Sequence, residues 1–199
     1  MIINDGRGSG RNAAVNVNNH LLVQAVMSTF VEDLSTASNG YNISSGVQTL
    51  AGAAASAVLY IKNNGERNLF IPTVILYLGS NTGGAATADH LLEMIRNPTV
   101  GTLVTGGTAV QSTNRNYGST RTLDADMLAM AAENQTLTDG TLMFPSLLTG
   151  EGRTVFTGLA FVLPKGASIG FRITPKASST NMDIAVAVVA AYDADGLTA

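Results

Sequence analysis

The chain has no cysteine and no tryptophan, and only 13% of its 199 residues are charged. Without cysteine it cannot form a disulfide framework, a thiolate zinc site or a thiol nucleophile. Ordinary soluble domains contain about 25% Asp, Glu, Lys and Arg. A surface with so little charge is better suited to contact with other proteins than to full exposure to solvent.

Clustered basic residues and long apolar runs are also missing. The 11 Lys and Arg residues are scattered and the net charge is −3, so duplex nucleic acid, which requires clustered positive charge, is not an expected partner. The longest apolar run, Ile184 to Tyr192, is far shorter than the roughly 18 residues that span a bilayer. Met1 to Asp5 do not begin a signal peptide, because no basic segment precedes an apolar one. We therefore expect neither a membrane partner nor secretion.

Strand and turn signals occur along most of the chain. In the C-terminal third, four alternating segments are separated by turns that contain Gly or Pro. They are residues 141–144, 154–163, 168–174 and 182–192. Such regular spacing without long helices favours an antiparallel sheet sandwich over a parallel sheet. We predict a mainly all-β protein, an antiparallel β-sandwich with one or two short helices.

The clearest turn signal lies between residues 57–62 and 68–71. Both segments are apolar, and Asn63–Gly65 separates them. The Asn-Gly pair favours the positive φ angles of a tight hairpin turn. The pattern predicts that the two segments pair as a hairpin and that a further strand, residues 73–78, begins after Pro72.

Helix and strand both remain open for three segments. Residues 20–34 fit a strand through Ser28 followed by a short helix or turn. Their apolar residues also fit one face of a helix. Thr87 is a fitting N-cap for a helix over residues 88–96, which Pro98 would stop. Residues 123–132 have high helix propensity. Residues 88–96 and 123–132 each fit an irregular strand equally well. Between them, residues 101–120 predict an exposed loop.

Residues 1–19 are rich in Asn and Gly and cannot bury much apolar area. They are either a frayed terminus or an extended arm that becomes ordered on a neighbouring subunit. We divide the chain into this N-terminal arm, residues 1–19, and a single β-sandwich domain, residues 20–199.

One motif resembles a catalytic nucleophile. Residues 166–170 match the G-x-S-x-G elbow, with Ser168 at its centre. The elbow requires a strand-to-helix turn and a histidine later in the chain, whereas residues 171–174 continue as strand and both His20 and His90 come earlier. We assign no catalytic residue and predict that the protein is not an enzyme.

The remaining polar patterns do not form metal or cofactor motifs. The glycines of residues 6–11 lack the features of a phosphate loop, and residues 193–196 start like a calcium loop that has no distal Glu. His20 and His90 have no ligand spacing, and we expect His90, beside Asp89, to be a surface residue. Asp124 and Asp126 would face different directions on a helix. We predict no metal and no cofactor.

Aromatic and aliphatic residues indicate where the core lies. Tyr41, Tyr60, Phe70 and Tyr77 fall on predicted strands and are expected to fill it. The strand over residues 182–192 is apolar on both faces, so we expect both faces to be covered, the second by a loop, a helix or another subunit.

Two segments, residues 20–79 (especially 39–43 and 57–64) and residues 161–175, carry a family resemblance. Together they resemble head decoration, or cement, proteins of tailed bacteriophages. The resemblance implies a jelly-roll sandwich that assembles in the host cytoplasm and is located on the capsid surface of the virion. It also implies a homotrimer whose partner is the major capsid protein.

Two other functions are weighed against this one. A tail- or baseplate-associated β-sandwich module would bind host glycan through residues 101–120, although tryptophan, which is common in sugar sites, is absent. A hydrolase would depend only on residues 166–170.

Overall fold

The computed structural model describes residues 3–4, 12–15, 21–22, 34–51, 54–80, 89–175 and 182–192. The chain divides into two units, Met1–Phe30 and Val31–Ala199. In the first unit, β1 (Ile3–Asn4), β2 (Asn12–Val15) and β3 (Leu21–Leu22) pair antiparallel in that order. Most of the predicted arm and most of residues 20–34 lie outside the described residues, so the boundary at residue 19 stays a prediction.

The second unit contains the remaining strands. They are β4 (Gly40–Ser44), β5 (Gln48–Leu50), β6 (Ser56–Asn63), β7 (Leu69–Ser80), β8 (Asp89–Arg96), β9 (Thr108–Ala109), β10 (Thr113–Asn114), β11 (Ala125–Ala129), β12 (Thr141–Thr149), β13 (Gly152–Leu163), β14 (Ser168–Pro175) and β15 (Met182–Tyr192). Residues 34–36 are helical, and a short helix spans Thr102–Gly106.

The strands form two antiparallel sheets. Sheet 1 has the order β10–β4–β15–β7–β13, with β5 also on β15, and sheet 2 has the order β12–β8–β14–β6–β11–β9. If the short strands and β11 are set aside, the sheets have the orders β4–β15–β7–β13 and β12–β8–β14–β6. Successive strands alternate between them except at β8 and β12, which pair within sheet 2, and this is the arrangement of a double-sheet jelly roll. The predicted all-β sandwich is therefore confirmed.

The core lies between the two sheets, because alternate side chains of each strand point inward. On β15, Ile184, Val186 and Val188 are buried and the residues between them are only half-buried. Phe171 of β14 and Ile61 of β6 are also fully buried in this cluster. Each such side chain contributes about 1.5–3 kcal/mol through its removal from water.

The predicted hairpin around Asn63–Gly65 is wrong. β6 pairs with β14 and β11 in sheet 2, whereas β7 pairs with β15 and β13 in sheet 1. Gly65 does not have a positive φ, and a Cβ there would lie 2.6 Å from the hydroxyl oxygen of Tyr192. Residues 64–68 thus connect the two sheets, and this glycine is required by close approach rather than by a hairpin turn.

The predicted strand boundary at Pro72 is also wrong, since β7 continues through it. Instead, both neighbouring strands are irregular beside Pro72. The register of β13 shifts between Thr157 and Phe161, and that of β15 shifts between Val189 and Ala191. Proline has no N–H to donate to a neighbouring strand, and because a residue's N–H points toward one neighbour only, this missing donor accounts for at most one of the two irregularities.

The two later segments for which helix and strand remained open, residues 88–96 and 123–132, are strands. β8 occupies most of residues 88–96, and β11 occupies the middle of residues 123–132. Leu92 and Met94 pack between the sheets while Ile95 packs on the other side of sheet 2. A strand that buries both faces has no clear period-2 pattern, which explains why residue periodicity did not separate the two alternatives.

The connection between β8 and β12 covers the outer face of sheet 2. Leu103 of the short helix and Leu137 are buried there in a second apolar cluster with Ala57, Tyr60 and Ile95. Residues 101–120 are consequently not one exposed loop, although much of this segment is exposed. At Gly101, with φ 149°, a Cβ would lie 2.1 Å from the carbonyl oxygen of Thr136, so only glycine fits.

Asp139 fastens this connection, and its contribution should depend on pH. Its Oδ1 accepts the backbone N–H groups of Thr99 and Val100, both at 2.8 Å, and its Oδ2 accepts the Thr99 hydroxyl at 2.6 Å. These hydrogen bonds, that of the Thr99 hydroxyl above all, lower the pKa of Asp139. A lowered pKa stabilises the fold above the unfolded-state value near 4, and that contribution is lost as the pH falls through the folded-state value.

We therefore expect the stability difference between the natural protein and Asp139→Asn to shrink as the pH falls from 5 toward 2. Urea unfolding at successive pH values measures it. A difference that stays constant over this range would contradict the assignment.

Candidate interaction surface

Ser168 has a structural role at the first position of β14. Its Oγ donates a hydrogen bond to the Pro98 carbonyl at 2.9 Å, and its backbone N–H donates to Asn97 Oδ1 at 3.0 Å. His90 pairs with Pro175 at the opposite end of the strand, which places it about 20 Å away along β14. Ser168 and His90 therefore do not form a nucleophile–base pair, and His20 lies outside the described residues.

The expectation that His90 is a surface histidine is wrong. His90 is fully buried on β8, on the same face as Leu92 and Met94. β8 lies inside sheet 2, between β12 and β14, so its inward positions face the core.

Asp124 and Asp126 position the connection between the sheets. Asp126 Oδ1 accepts the Asn64 side-chain amide at 2.9 Å, and the Asp124 carbonyl accepts the N–H groups of Asn64 and Gly65 at 3.0 and 3.1 Å. Within the described ranges, no group of three or more His, Asp or Glu residues is arranged to hold a metal. Residues 6–11 and 193–196, the other candidate motifs, lie outside those ranges.

Tyr192 is at the centre of a polar cluster at this end of the sandwich. Its hydroxyl lies 2.9 Å from the Asp124 carbonyl and 3.2 Å from Asn63 Oδ1. Its ring contacts Tyr41 edge-on, and the Arg67 guanidinium lies 4.8 Å from the ring centre. Burial raises the pKa of Tyr192 to about 12. These contacts cover this end of the sandwich, and the Tyr192 hydroxyl stays protonated at neutral pH.

The aromatic residues expected in the core divide into two groups. Tyr41 and Tyr60 are buried, Tyr60 in the cluster outside sheet 2. Tyr77 is 44% exposed and Phe70 is half-buried, so the expectation fails for these two. Both lie at outward positions of β7. Alternation along the strand separates its two faces but does not show which face is buried.

Five of the nine large apolar side chains that are exposed among the described residues lie along two edge strands. β12 ends sheet 2 and β13 ends sheet 1. Their exposed residues, each 40–55% accessible, form what we call the rim: Leu142, Phe144, Leu147, Val155 and Val162. Residues 141–149 and 154–163 contain no charged side chain. Phe144 also contacts Phe156 across the opening between the sheets, with ring centres 6.1 Å apart.

The backbone along the rim is poorly suited to adding another strand. Edge strands are commonly protected by charge, proline or bulges. Here Pro145 lies within β12, and β13 bulges between Thr157 and Phe161. Ala160, inside this bulge, has a φ of 48°, a left-handed conformation that costs roughly 1–2 kcal/mol for a residue with a Cβ. The rim is therefore suited to contacts through side chains.

The rim continues onto the outer face of sheet 1. Val155 pairs with Ile75 and Val162 pairs with Phe70 on β7. The outward residues of β15 beside them are Ala185, Ala187 and Val189, all half-buried. An outward sheet face is ordinarily polar, so these apolar residues extend the surface available to a partner, although Arg153 and Asp183 lie on the same face. That a loop, a helix or a subunit covers this face of β15 stays a prediction.

A second exposed feature is the turn after β10. Tyr117 there is 95% exposed, and its neighbours Asn114 and Asn116 hydrogen-bond back to the body of the domain. Sequence inspection pointed to residues 101–120 as a recognition loop but did not single out Tyr117. It also missed the rim, for which the available signal was the absence of charge in residues 141–149 and 154–163.

Among the described residues, none of the helices has the length and apolar character needed to cross a membrane. Comparison of the chain with protein-family models, with curated proteins and with solved structures finds no match.

Proposed function

We propose that the protein is a non-enzymatic structural component of a tailed-bacteriophage virion. In this role it decorates the head as a homotrimer and stabilises the shell by bridging major capsid protein subunits. The observation that carries the proposal is the uncharged rim, which joins outward apolar residues of β13, β7 and β15 on a jelly-roll domain. The resemblance of residues 20–79 and 161–175 to head decoration proteins supports the same function.

The size of this surface fits stable assembly. Four strands spaced about 4.8 Å apart make sheet 1 about 19 Å wide, and the rim adds the roughly 10 Å between the sheets. Over a strand length of about 30 Å the combined plan area is about 800–900 Å². A standard protein interface buries about 800 Å² on each partner. The surface is thus large enough for one subunit contact.

Low charge is consistent with contacts between identical copies. Like charges brought together at an interface oppose association. Residues 141–149 and 154–163 contain no charged side chain, so two copies that meet there do not repel each other. A trimer would also present three identical shell contacts at once, so that weak individual contacts combine into firm attachment.

Two charges placed on the rim should break these contacts without unfolding the domain. In Leu147→Asp/Val155→Asp both new carboxylates replace side chains that are about half exposed. The natural protein is expected to sediment as a trimer at micromolar concentration and to bind heads assembled without it. The double variant should lose the trimer or bind heads at least about tenfold more weakly, because burying an unpaired charge is costly.

The matched control is Ala132→Asp, an exposed position after β11. β11 is separated from β12 by three strands of sheet 2. Circular dichroism should show the same fold for all three proteins. A monomeric natural protein that does not bind heads, or a double variant that binds as well as the control, would rule out the proposal.

A tail- or baseplate-associated module that binds host glycan is the second candidate, and the exposed Tyr117 favours it. The location in the virion distinguishes the two. Detection of the chain on heads purified before tail joining supports decoration, whereas detection only on tails supports the second candidate.

A further inference from the structure

The turn that presents Tyr117 is held rigidly. The Asn114 amide nitrogen donates to the carbonyls of Ser38 and Arg121 at 3.0 and 3.2 Å, and its Oδ1 accepts the Asn116 N–H at 2.9 Å. The Asn116 side chain donates to Ser38 Oγ at 3.0 Å and accepts the Gly118 N–H at 3.1 Å. Isolated exposed apolar residues are ordinary on protein surfaces, but a side chain carried on a fixed backbone loses less entropy when it binds than one on a flexible loop.

Arg115 provides a positive charge beside this ring. Its Nε donates to Ser35 Oγ at 3.2 Å and its Nη1 to Asn42 Oδ1 at 3.1 Å, and both acceptors are neutral. Of the residues that the structure describes, none forms an ion pair with Arg115 or accepts a hydrogen bond from its Nη2. A guanidinium held by neutral groups keeps its full charge for an anionic partner, and the remaining donors of Nη1 and Nη2 form a planar fork that suits a carboxylate.

The surroundings of Tyr117 are polar. A depression of about 490 Å³ is lined by Ser35, Thr36, Arg115, Asn116, Tyr117 and Gly118. The centre of a protein–protein interface is more apolar than this, with charged residues depleted, whereas Tyr117 is the only apolar ring of this depression. Hydroxyl, amide and guanidinium groups around one aromatic face suit a ligand that is itself rich in hydroxyl groups.

We propose that this turn binds an acidic saccharide. The ring of Tyr117 packs against the C–H face of a sugar, whose slight positive charge complements the negative face of the aromatic ring. Arg115 pairs with the carboxylate of the same or the next sugar unit. An acidic saccharide is thus the ligand class for the second candidate function, the glycan-binding module, and its binding does not depend on attachment to heads.

The test is calorimetric titration of the full chain with a uronate oligosaccharide, compared with a neutral oligosaccharide of equal length. We expect the uronate to bind at least about tenfold more tightly, with affinity that falls as salt increases. Tyr117→Ala should weaken binding about tenfold or more, as truncation of an anchoring aromatic residue does. Tyr117→Phe, which keeps the ring, should stay within about twofold of the natural protein.

Three outcomes would overturn the proposal. They are absence of binding at millimolar uronate, equal affinity for the neutral and acidic saccharides, and unchanged binding by Tyr117→Ala. Binding of polyglutamate as tight as that of the uronate would also overturn it, since the turn would then recognise acidic protein. Head attachment measured on Tyr117→Ala separates this result from the decoration proposal, because the rim remains intact in that variant.

Discussion

Replacement of Asn63 by leucine should lower the free energy of unfolding by about 3 kcal/mol, since each buried polar group left without a partner costs about 1–3 kcal/mol. Asn63 is fully buried. Its amide nitrogen donates to the carbonyls of Arg67 and Leu163 at 2.7 and 2.9 Å, and its Oδ1 accepts the Gly65 N–H at 3.1 Å. Leucine has a similar volume but can make none of these hydrogen bonds.

Urea unfolding followed by circular dichroism measures this change. The matched control is Asn64→Leu, because Asn64 is the adjacent asparagine and its side chain donates to Asp126 at an exposed position. We expect the control to lose less than about 1 kcal/mol. Equal losses for the two variants would show that the Asn63 side chain does not hold the connection between the sheets.

The ion pair between Glu93 and Arg172 should behave differently when one or both partners are removed. These residues face each other on β8 and β14, and the guanidinium contacts both carboxylate oxygens, at 2.7 and 3.0 Å. The Glu93 side chain is only 10% exposed. Arg172→Leu leaves that carboxylate without its partner and should cost about 3 kcal/mol, the lower end of the range for breaking a buried pair.

The double variant Glu93→Leu/Arg172→Leu should lose less than Arg172→Leu alone, because it leaves no unpaired charge behind. Unfolding free energies of the natural protein, both single variants and the double variant give the coupling energy between the two residues. Losses that simply add would contradict the assignment of Arg172 as the partner that neutralises Glu93.

The inferences from sequence were strongest where one short segment contains all the necessary information. The alternation in residues 182–192 and the turns around them predicted β15 correctly, from Met182 to Tyr192. The low charge and the mismatch of Ser168 with a nucleophile elbow were likewise readable from the chain. Strand alternation is a local consequence of backbone geometry, so it needs no knowledge of the rest of the fold.

The assignment of strands to sheets could not be read locally. Asn63–Gly65 has the composition of a hairpin turn, yet the side chain of Asn63 bonds to Leu163, which is distant in the sequence, and the chain crosses to the other sheet. Residues 88–96 likewise became a strand because both faces of β8 are buried by partners far along the chain.

The chain by itself determined a weakly charged, β-rich protein with strands at recognisable positions, since composition and alternation are properties of the sequence. Only the tertiary structure decided which strands end the sheets, and therefore that the apolar residues of β12 and β13 form an exposed rim. It also decided that Tyr117 is presented on a turn fastened to residues 36–38, while Tyr41 is buried. Exposure depends on contacts between distant segments, and local residue patterns do not contain that information.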